Sequence, residues 1–226
     1  MLKNSGLDST VNAQTFANFA TEEEWQKGMK DIAISYGKAY FEALDAGETL
    51  PWFFLSGQPG CGKTHICTAI CGVMMKKDIP VYYMQWITES RRLRALANDP
   101  AFDAMLWQYT DVDILYIDDL FKQPSNRDID ASTAEGKVLF EILNTRYLQN
   151  KATIISTEWD LLTDLIPVDD GVFTRVYERS KPFIYNVKRG EDRNYRLGGS
   201  NANANSGKQG TSEEHPDDDT ARSVGV

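Results

Sequence analysis

Gly57-Gln58-Pro59-Gly60-Cys61-Gly62-Lys63-Thr64 fits G-x-x-x-x-G-K-[ST], the spacing of a phosphate-binding loop. Before it runs the apolar strand-like segment Trp52-Phe53-Phe54-Leu55-Ser56. After it, His65 to Met75 reads as a helix with a buried face. Strand, glycine loop and helix form the context in which this spacing has chemical meaning. The glycines let backbone N–H groups turn inward toward an anion, and the helix N-terminus adds partial positive charge. Residues Gly57 to Thr64, with His65 next to them, are therefore phosphate-binding candidates. Lys63 is placed to reach the β- and γ-phosphates, and the Thr64 hydroxyl to bind Mg²⁺.

A second stretch supplies what the first lacks. Asp113-Ile114-Leu115-Tyr116-Ile117-Asp118-Asp119 is an apolar run ending in acids. It predicts a buried strand whose carboxylates emerge at the C-terminal edge of a sheet, where ligands bind in open α/β folds. Asp118 lies 55 positions beyond Lys63 (118 − 63) and is expected to help hold Mg²⁺. Asp119 is expected to orient or deprotonate an attacking water.

Around these two stretches the chain alternates strands and helices. Thr21 and Glu24 have the spacing of a capping box, so a helix is expected from there to about Leu44. Val81–Trp86 reads as a strand. Residues 88–109 read as two helical pieces broken near Asn98-Asp99-Pro100. Ser132 and Glu135 form a second capping box before a helix reaching about Asn150. Strands at 152–157 and 181–187, with two short helices between them, bring the count to five. Such alternation predicts an α/β fold: a P-loop NTPase with three α/β/α layers and a mainly parallel five-stranded sheet. Residues 1–18 are expected to be a flexible arm, with Phe16 and Phe19 folding back, and 19–197 the ATPase domain. The low-complexity, acidic and polar stretch 198–226 is expected to be a disordered tail.

Composition narrows the partners. The chain has 226 residues and a formal net charge of −9, which argues against broad electrostatic binding to nucleic acid. No apolar run approaches the roughly 20 residues of a membrane span, and MLKNSGLDST has no signal-peptide core, so a cytoplasmic protein with no membrane partner is expected. Cys61, Cys67 and Cys71 fit a reducing compartment. With His65 as the only nearby histidine they lack the ligands of a zinc site, and are expected in the core.

No Asn-Lys-x-Asp guanine signature occurs, which excludes the common GTPases. A strand-like unit, Thr153 to Glu158, separates the Asp118-Asp119 element from an arginine-bearing helix. That order matches AAA+ ATPases, so the expected ligands are ATP and Mg²⁺. The segments FANF (16–19), GQPGCGKTH (57–65), YIDDLFK (116–122), EILNTRY (141–147), TIISTEW (153–159), FTRVYERS (173–180) and EDRNYRL (191–197) resemble the helicase-loader ATPases of the DnaC/DnaI type, with the IstB transposition helpers as relatives.

That resemblance implies more. Thr157 would sense the γ-phosphate; Glu158, where relatives often carry Asn, would repel it. Arg175 would be an arginine finger inserted into a neighbouring subunit's ATP site, with Arg179 as competitor, so the chain would self-associate through that site. Arg193 and Arg196 would act at the nucleotide or on DNA. An insert at the position of residues 88–109 lines a single-strand groove in initiators and loaders; here Arg91, Arg92 and Arg94 beside Trp86 would contact single-stranded DNA. The implied function is ATP hydrolysis in loading a replicative helicase. A nucleotide-gated adaptor with little turnover and an IstB-like transposition helper are the alternatives. Two departures matter. Loaders of this type carry an N-terminal domain that grips the helicase, whereas about 18 residues precede the core here. Asp119 also stands where most AAA+ proteins have Glu, one methylene longer, so slow hydrolysis is expected.

Overall fold

A computed structural model describes residues 7, 10–96, 99–122, 133–190 and 193–194. Five strands, β1 (Phe53–Gly57), β2 (Val81–Gln85), β3 (Ile114–Leu120), β4 (Ala152–Thr157) and β5 (Ile184–Val187), form one sheet in the order β2-β3-β4-β1-β5. Every neighbouring pair is parallel. Parallel strands need crossovers, and helices α1 (Glu24–Ala46), α2 (Lys63–Met75), α3 (Trp86–Ala95), α4 (Ala101–Asp111), α5 (Ala134–Leu148) and α6 (Asp170–Ser180) occupy both faces.

The strands are apolar on both sides because both faces are covered. Phe53 and Leu55 pack with Met29, Tyr36 and Tyr40 of α1 and Ile66 and Ile70 of α2. Their alternates Trp52 and Phe54 pack with Tyr109 of α4, Ile142 of α5 and Phe173 of α6. This period-two division makes three layers from one hydrophobic stretch. Cys61, Cys67 and Cys71 are buried and unbonded to one another; burial pushes the Cys67 and Cys71 thiols far up, so both stay protonated.

Several local expectations shift. Helix α1 starts two residues after the Thr21 box would place it: Glu23 is the N-cap, and its N–H donates to Gln26 Oε1 at 2.8 Å. Gly47, in the left-handed region at φ 66°, ends that helix. Ser132 lies outside the described residues; the cap of α5 is Thr133, whose hydroxyl accepts from the Gly136 N–H. The expected strand at 181–187 begins as a short 3₁₀ turn, Lys181–Phe183, and is extended from Ile184. In the described part of the arm, expected to be loose, Leu7 is buried, Val11 and Phe16 pack on the core, and Phe19 belongs to it. The expected tail lies outside the described residues.

Candidate functional site

Parallel pairing brings the C-terminal ends of the strands to one edge of the sheet, and the register decides what meets there. Ser56 is level with Thr157, Gly57 with Val187, and Gln85 with Asp118. The glycine loop leaves β1 through Gly57, turns at Gly60 (φ 80°) and enters α2 through Gly62 (φ 93°). A side chain at Gly57 would place its Cβ 2.7 Å from Val187 Cβ, so close packing on β5 requires glycine there as well. Lys63 is buried, and its Nζ donates to the carbonyls of Gly57 (2.7 Å) and Gln58 (3.0 Å). These are the interactions a phosphate would compete with.

Asp118 is buried at 4% exposure and is held from four directions. The Thr64 hydroxyl donates to Oδ1 at 3.2 Å, the Tyr116 phenol to Oδ1 at 2.7 Å and the Tyr83 phenol to Oδ2 at 2.8 Å. The Ser156 hydroxyl also donates to Oδ1. Burial, and then the Asp118 charge, pushes the Tyr83 phenol up; for Tyr116 burial dominates, followed by Cys67 and Asp118. Both phenols therefore remain donors at neutral pH. The pairing of Thr64 with Asp118 fits Mg²⁺: two hard oxygen ligands at a phosphate loop, leaving the other positions to phosphate and water.

Asp119 turns away from Asp118. A bulge interrupts the β3–β4 register between Ile117 and Leu120, and Asp119 sits at φ 54°. Its Oδ2 is 2.9 Å from Lys122 Nζ, which lies 3.3 Å from Glu158 Oε1. Burial pulls the Lys122 ammonium down, but the two carboxylates outweigh it and hold it above its ordinary value. Pro59, Gly60, Gly62, Lys63, Thr64, His65, Asp119 and Lys122 line a cleft of about 340 Å³ together with Gln14, Asn18, Phe19 and Ala20. His65 ties this wall down: its Nε2 lies 2.9 Å from the Thr15 carbonyl, which only accepts, so Nε2 carries the proton.

The remaining expected residues are distributed differently. Thr157 is buried; its hydroxyl donates to Leu120 O at 2.8 Å and accepts from the Trp159 N–H at 3.2 Å. It thus clasps β3 to β4 and does not line the cleft. The objection to Glu158, repulsion of a phosphate, loses force because Lys122 stands beside it. Arg175, on α6, donates through Nη1 to Gly171 O and lies over the Tyr147 ring at 5.9 Å. Arg179 donates to Leu50 O, Asn150 Oδ1 and Tyr147 O, which makes it a structural tie and a poor finger. Arg193 lies over Trp25 at 5.8 Å and donates to Lys188 O; Arg196 falls outside the described residues. Arg91, Arg92 and Arg94 are exposed on α3, with Arg92 paired to Glu89 at 3.1 Å. Trp86, expected beside them as a stacking surface, is instead buried at 4% exposure against Phe121. An aromatic at the start of a helix that folds back on the sheet edge enters the core.

Sequence reasoning missed Tyr83, Tyr116, Ser156 and Lys122. Tyr116 was recoverable, since it stands two residues before Asp118 on the same face of the strand. Tyr83 and Ser156 arrive from neighbouring strands, and only the register aligns them. A further pairing joins loop to strand β5's continuation: the Gln58 carboxamide both donates to Gly190 O and accepts from Gly190 N–H, each at 2.9 Å.

Fold and site together define a P-loop NTPase. Residues 42–166 match the family described as IstB-like ATP binding protein, and the chain belongs to that family. It is 31% identical over 199 residues to YqaM of Bacillus subtilis (strain 168), covering 86% of this chain and 61% of YqaM. It is 26% identical over 125 residues to the replicative helicase loader DnaC of Escherichia coli (strain K12), covering 54% of this chain and 49% of DnaC. The chain thus spans about half to three-fifths of the length of these relatives. Among solved structures, the DnaC helicase loader superposes with a TM-score of 0.64 at 20% identity, over 79% of this chain and 99% of that one. The resemblance seen in the motifs is therefore present in the fold. Among the described residues no helix is long and apolar enough to cross a membrane.

Proposed function

We propose that this chain binds and hydrolyses ATP as a replication accessory protein that helps load a replicative helicase onto single-stranded DNA. The observation that carries the ATPase part is the convergence of Lys63, Thr64 and Asp119 on one cleft at the C-terminal edge of the sheet, with the buried Asp118 bonded to Thr64 behind it. The loader part is supported by the similarity to DnaC.

Lys63 exchanges its two loop carbonyls for β- and γ-phosphate oxygens, and the loop N–H groups take the remaining charge. Thr64 and Asp118 are the residues to hold Mg²⁺, which neutralises charge on the phosphate oxygens when bound. Tyr83, Tyr116 and Ser156 keep the Asp118 carboxylate aimed while Thr64 turns away from it. Asp119 orients the water whose oxygen attacks the γ-phosphorus as the bond to the β-phosphate oxygen breaks, giving ADP and phosphate. Asp119 begins paired to Lys122, which suits slow turnover and a switch better than a motor. Arg175 then serves a neighbour's site in trans, with a typical worth of about 10³–10⁵ in rate.

The test separates these parts. Lys63→Ala is expected to lose ATP binding. Arg175→Ala is expected to bind ATP but turn over at least about 10³-fold more slowly, and mixing the two variants is expected to restore some turnover at composite sites. Normal hydrolysis by Arg175→Ala would refute the finger. The match to the IstB-like family favours a second reading, a transposition helper. Comparing single- and double-stranded DNA binding at one stated salt concentration distinguishes it, since a helper is expected to prefer duplex.

A further inference from the structure

Lys122 closes the YIDDLFK segment and had no role assigned to it from the sequence, yet it lines the same cleft as Lys63. Its position is built. The chain reaches it through two left-handed residues, Asp119 at φ 54° and Phe121 at φ 56°, and the Lys122 N–H donates to Asp119 O at 3.0 Å to close the turn. Phe121 anchors that turn by burying its ring against Trp86 and Phe173. Non-glycine residues at positive φ are costly and persist where surroundings over-determine them. The backbone is thus fixed while the side chain stays one-third exposed, at 34%.

The ammonium faces Asp119 Oδ2 at 2.9 Å and Glu158 Oε1 at 3.3 Å. Glu158 Oε1 is shut off from solvent and has no hydrogen bond among the described residues, so the Lys122 ammonium at 3.3 Å is the partner that compensates its burial. An ammonium has three N–H groups. It can retain Glu158 while exchanging Asp119 for another anion in the cleft. A terminal phosphate is such an anion, and it carries more charge than a carboxylate.

We propose that Lys122 distinguishes a nucleoside triphosphate from a diphosphate: its ammonium moves from Asp119 to the terminal phosphate, Glu158 keeps it within reach, and Asp119 is released to orient water. This rests on the nucleotide-binding reading above. Triphosphate recognition and activation of Asp119 then become one event, because the same cation cannot fully neutralise both.

The experiment measures equilibrium binding of Mg²⁺–ADP and of Mg²⁺ with the β,γ-methylene analogue of ATP to the full chain. Wild type, Lys63→Ala, Lys122→Ala, Lys122→Arg and Glu158→Gln are compared. A charge-assisted hydrogen bond to phosphate sets a triphosphate preference of at least about tenfold in wild type. Lys122→Ala is expected to bring that preference to within about twofold of unity while leaving ADP affinity unchanged, which also shows that the variant is folded. Lys122→Arg should recover part of the preference, and Glu158→Gln should fall between. Retention of the wild-type preference by Lys122→Ala, with Lys63→Ala binding neither nucleotide, overturns this proposal and leaves nucleotide binding standing. Failure of wild type to bind either nucleotide overturns both.

Discussion

Replacing Arg146 by Met tests the interior that holds the site in place. Arg146 is fully buried in α5, with no solvent exposure. Its Nε donates to Thr153 Oγ1 at 3.0 Å. Nη1 donates to the carbonyls of Tyr109 (2.8 Å), Thr110 (3.3 Å) and Val112 (2.8 Å), and Nη2 to Asp113 O (3.2 Å) and to Ala152 O. The cation therefore caps the C-terminus of α4 from inside and ties it to the residue just before β3 and to the first two residues of β4. Two effects oppose each other. Burial pushes the guanidinium down from 12.5 to about 9, so it stays charged at neutral pH at an energetic cost. Methionine recovers that cost, roughly 5 kcal/mol at about 1.4 kcal/mol per pH unit. Against this, five acceptors lose their donor, while Asp113 O still accepts from the Ala152 N–H at 3.2 Å, and buried acceptors without partners cost about 1–3 kcal/mol each. At about 1.5 kcal/mol apiece the loss is roughly 7.5 kcal/mol, so loss of the cap wins by roughly 2.5 kcal/mol. For a domain of this size that lowers Tm by about 5–10 °C. Urea unfolding should show a reduced midpoint at unchanged slope. A Met variant within about 1 kcal/mol of wild type, or more stable than it, would refute the reasoning by showing that desolvation of the charge outweighs its bonds.

Other consequences concern the site itself. Tyr83→Phe and Tyr116→Phe remove partners that aim Asp118, and each should raise the Mg²⁺ concentration needed for half-maximal ATP binding by about tenfold or more; a Mg²⁺ titration at fixed nucleotide reads this, and an unchanged curve for both would assign the aiming to Ser156. Gly57→Ala should destabilise more than Gly60→Ala. Its Cβ would meet Val187 Cβ at 2.7 Å and Val187 O at 3.1 Å in a paired strand, whereas the nearest atom at Gly60 is the end of the Asn194 side chain. Equal loss of stability in thermal unfolding would contradict that ordering.

The loop, the strand before it and the helix after it were legible in the sequence because their chemistry is contiguous. Eight adjacent residues carry the donors, and a helix N-terminus follows them by necessity. Asp118-Asp119 was legible for the same reason, as an apolar run that ends in charge. Five strands alternating with helices implied parallel pairing, since each crossover brings the chain back in the same direction. Caps were read less well: Thr21 and Glu24 have the right spacing, but Glu23 and Gln26 offer a competing box, and burial of Gln26 favours it.

What only the tertiary structure decided are the contacts made between strands and across turns. Tyr83 and Ser156 converge on Asp118 because of β2–β3–β4 order and register, which no local pattern encodes. Trp86 went to the core and not to a nucleic-acid surface because α3 packs back over β3, so its burial outweighed its sequence neighbours' charge. Lys122 stands between the Asp119 and Glu158 carboxylates because a left-handed turn at Asp119 and Phe121 delivers it there, while the neighbouring Thr157 hydroxyl is bonded to Leu120 O. The sequence by itself determined that a phosphate site exists and where its donors lie. The fold determined which carboxylate is caged, which is clamped and by what cation, because those depend on distances between segments that the chain brings together only when the sheet forms.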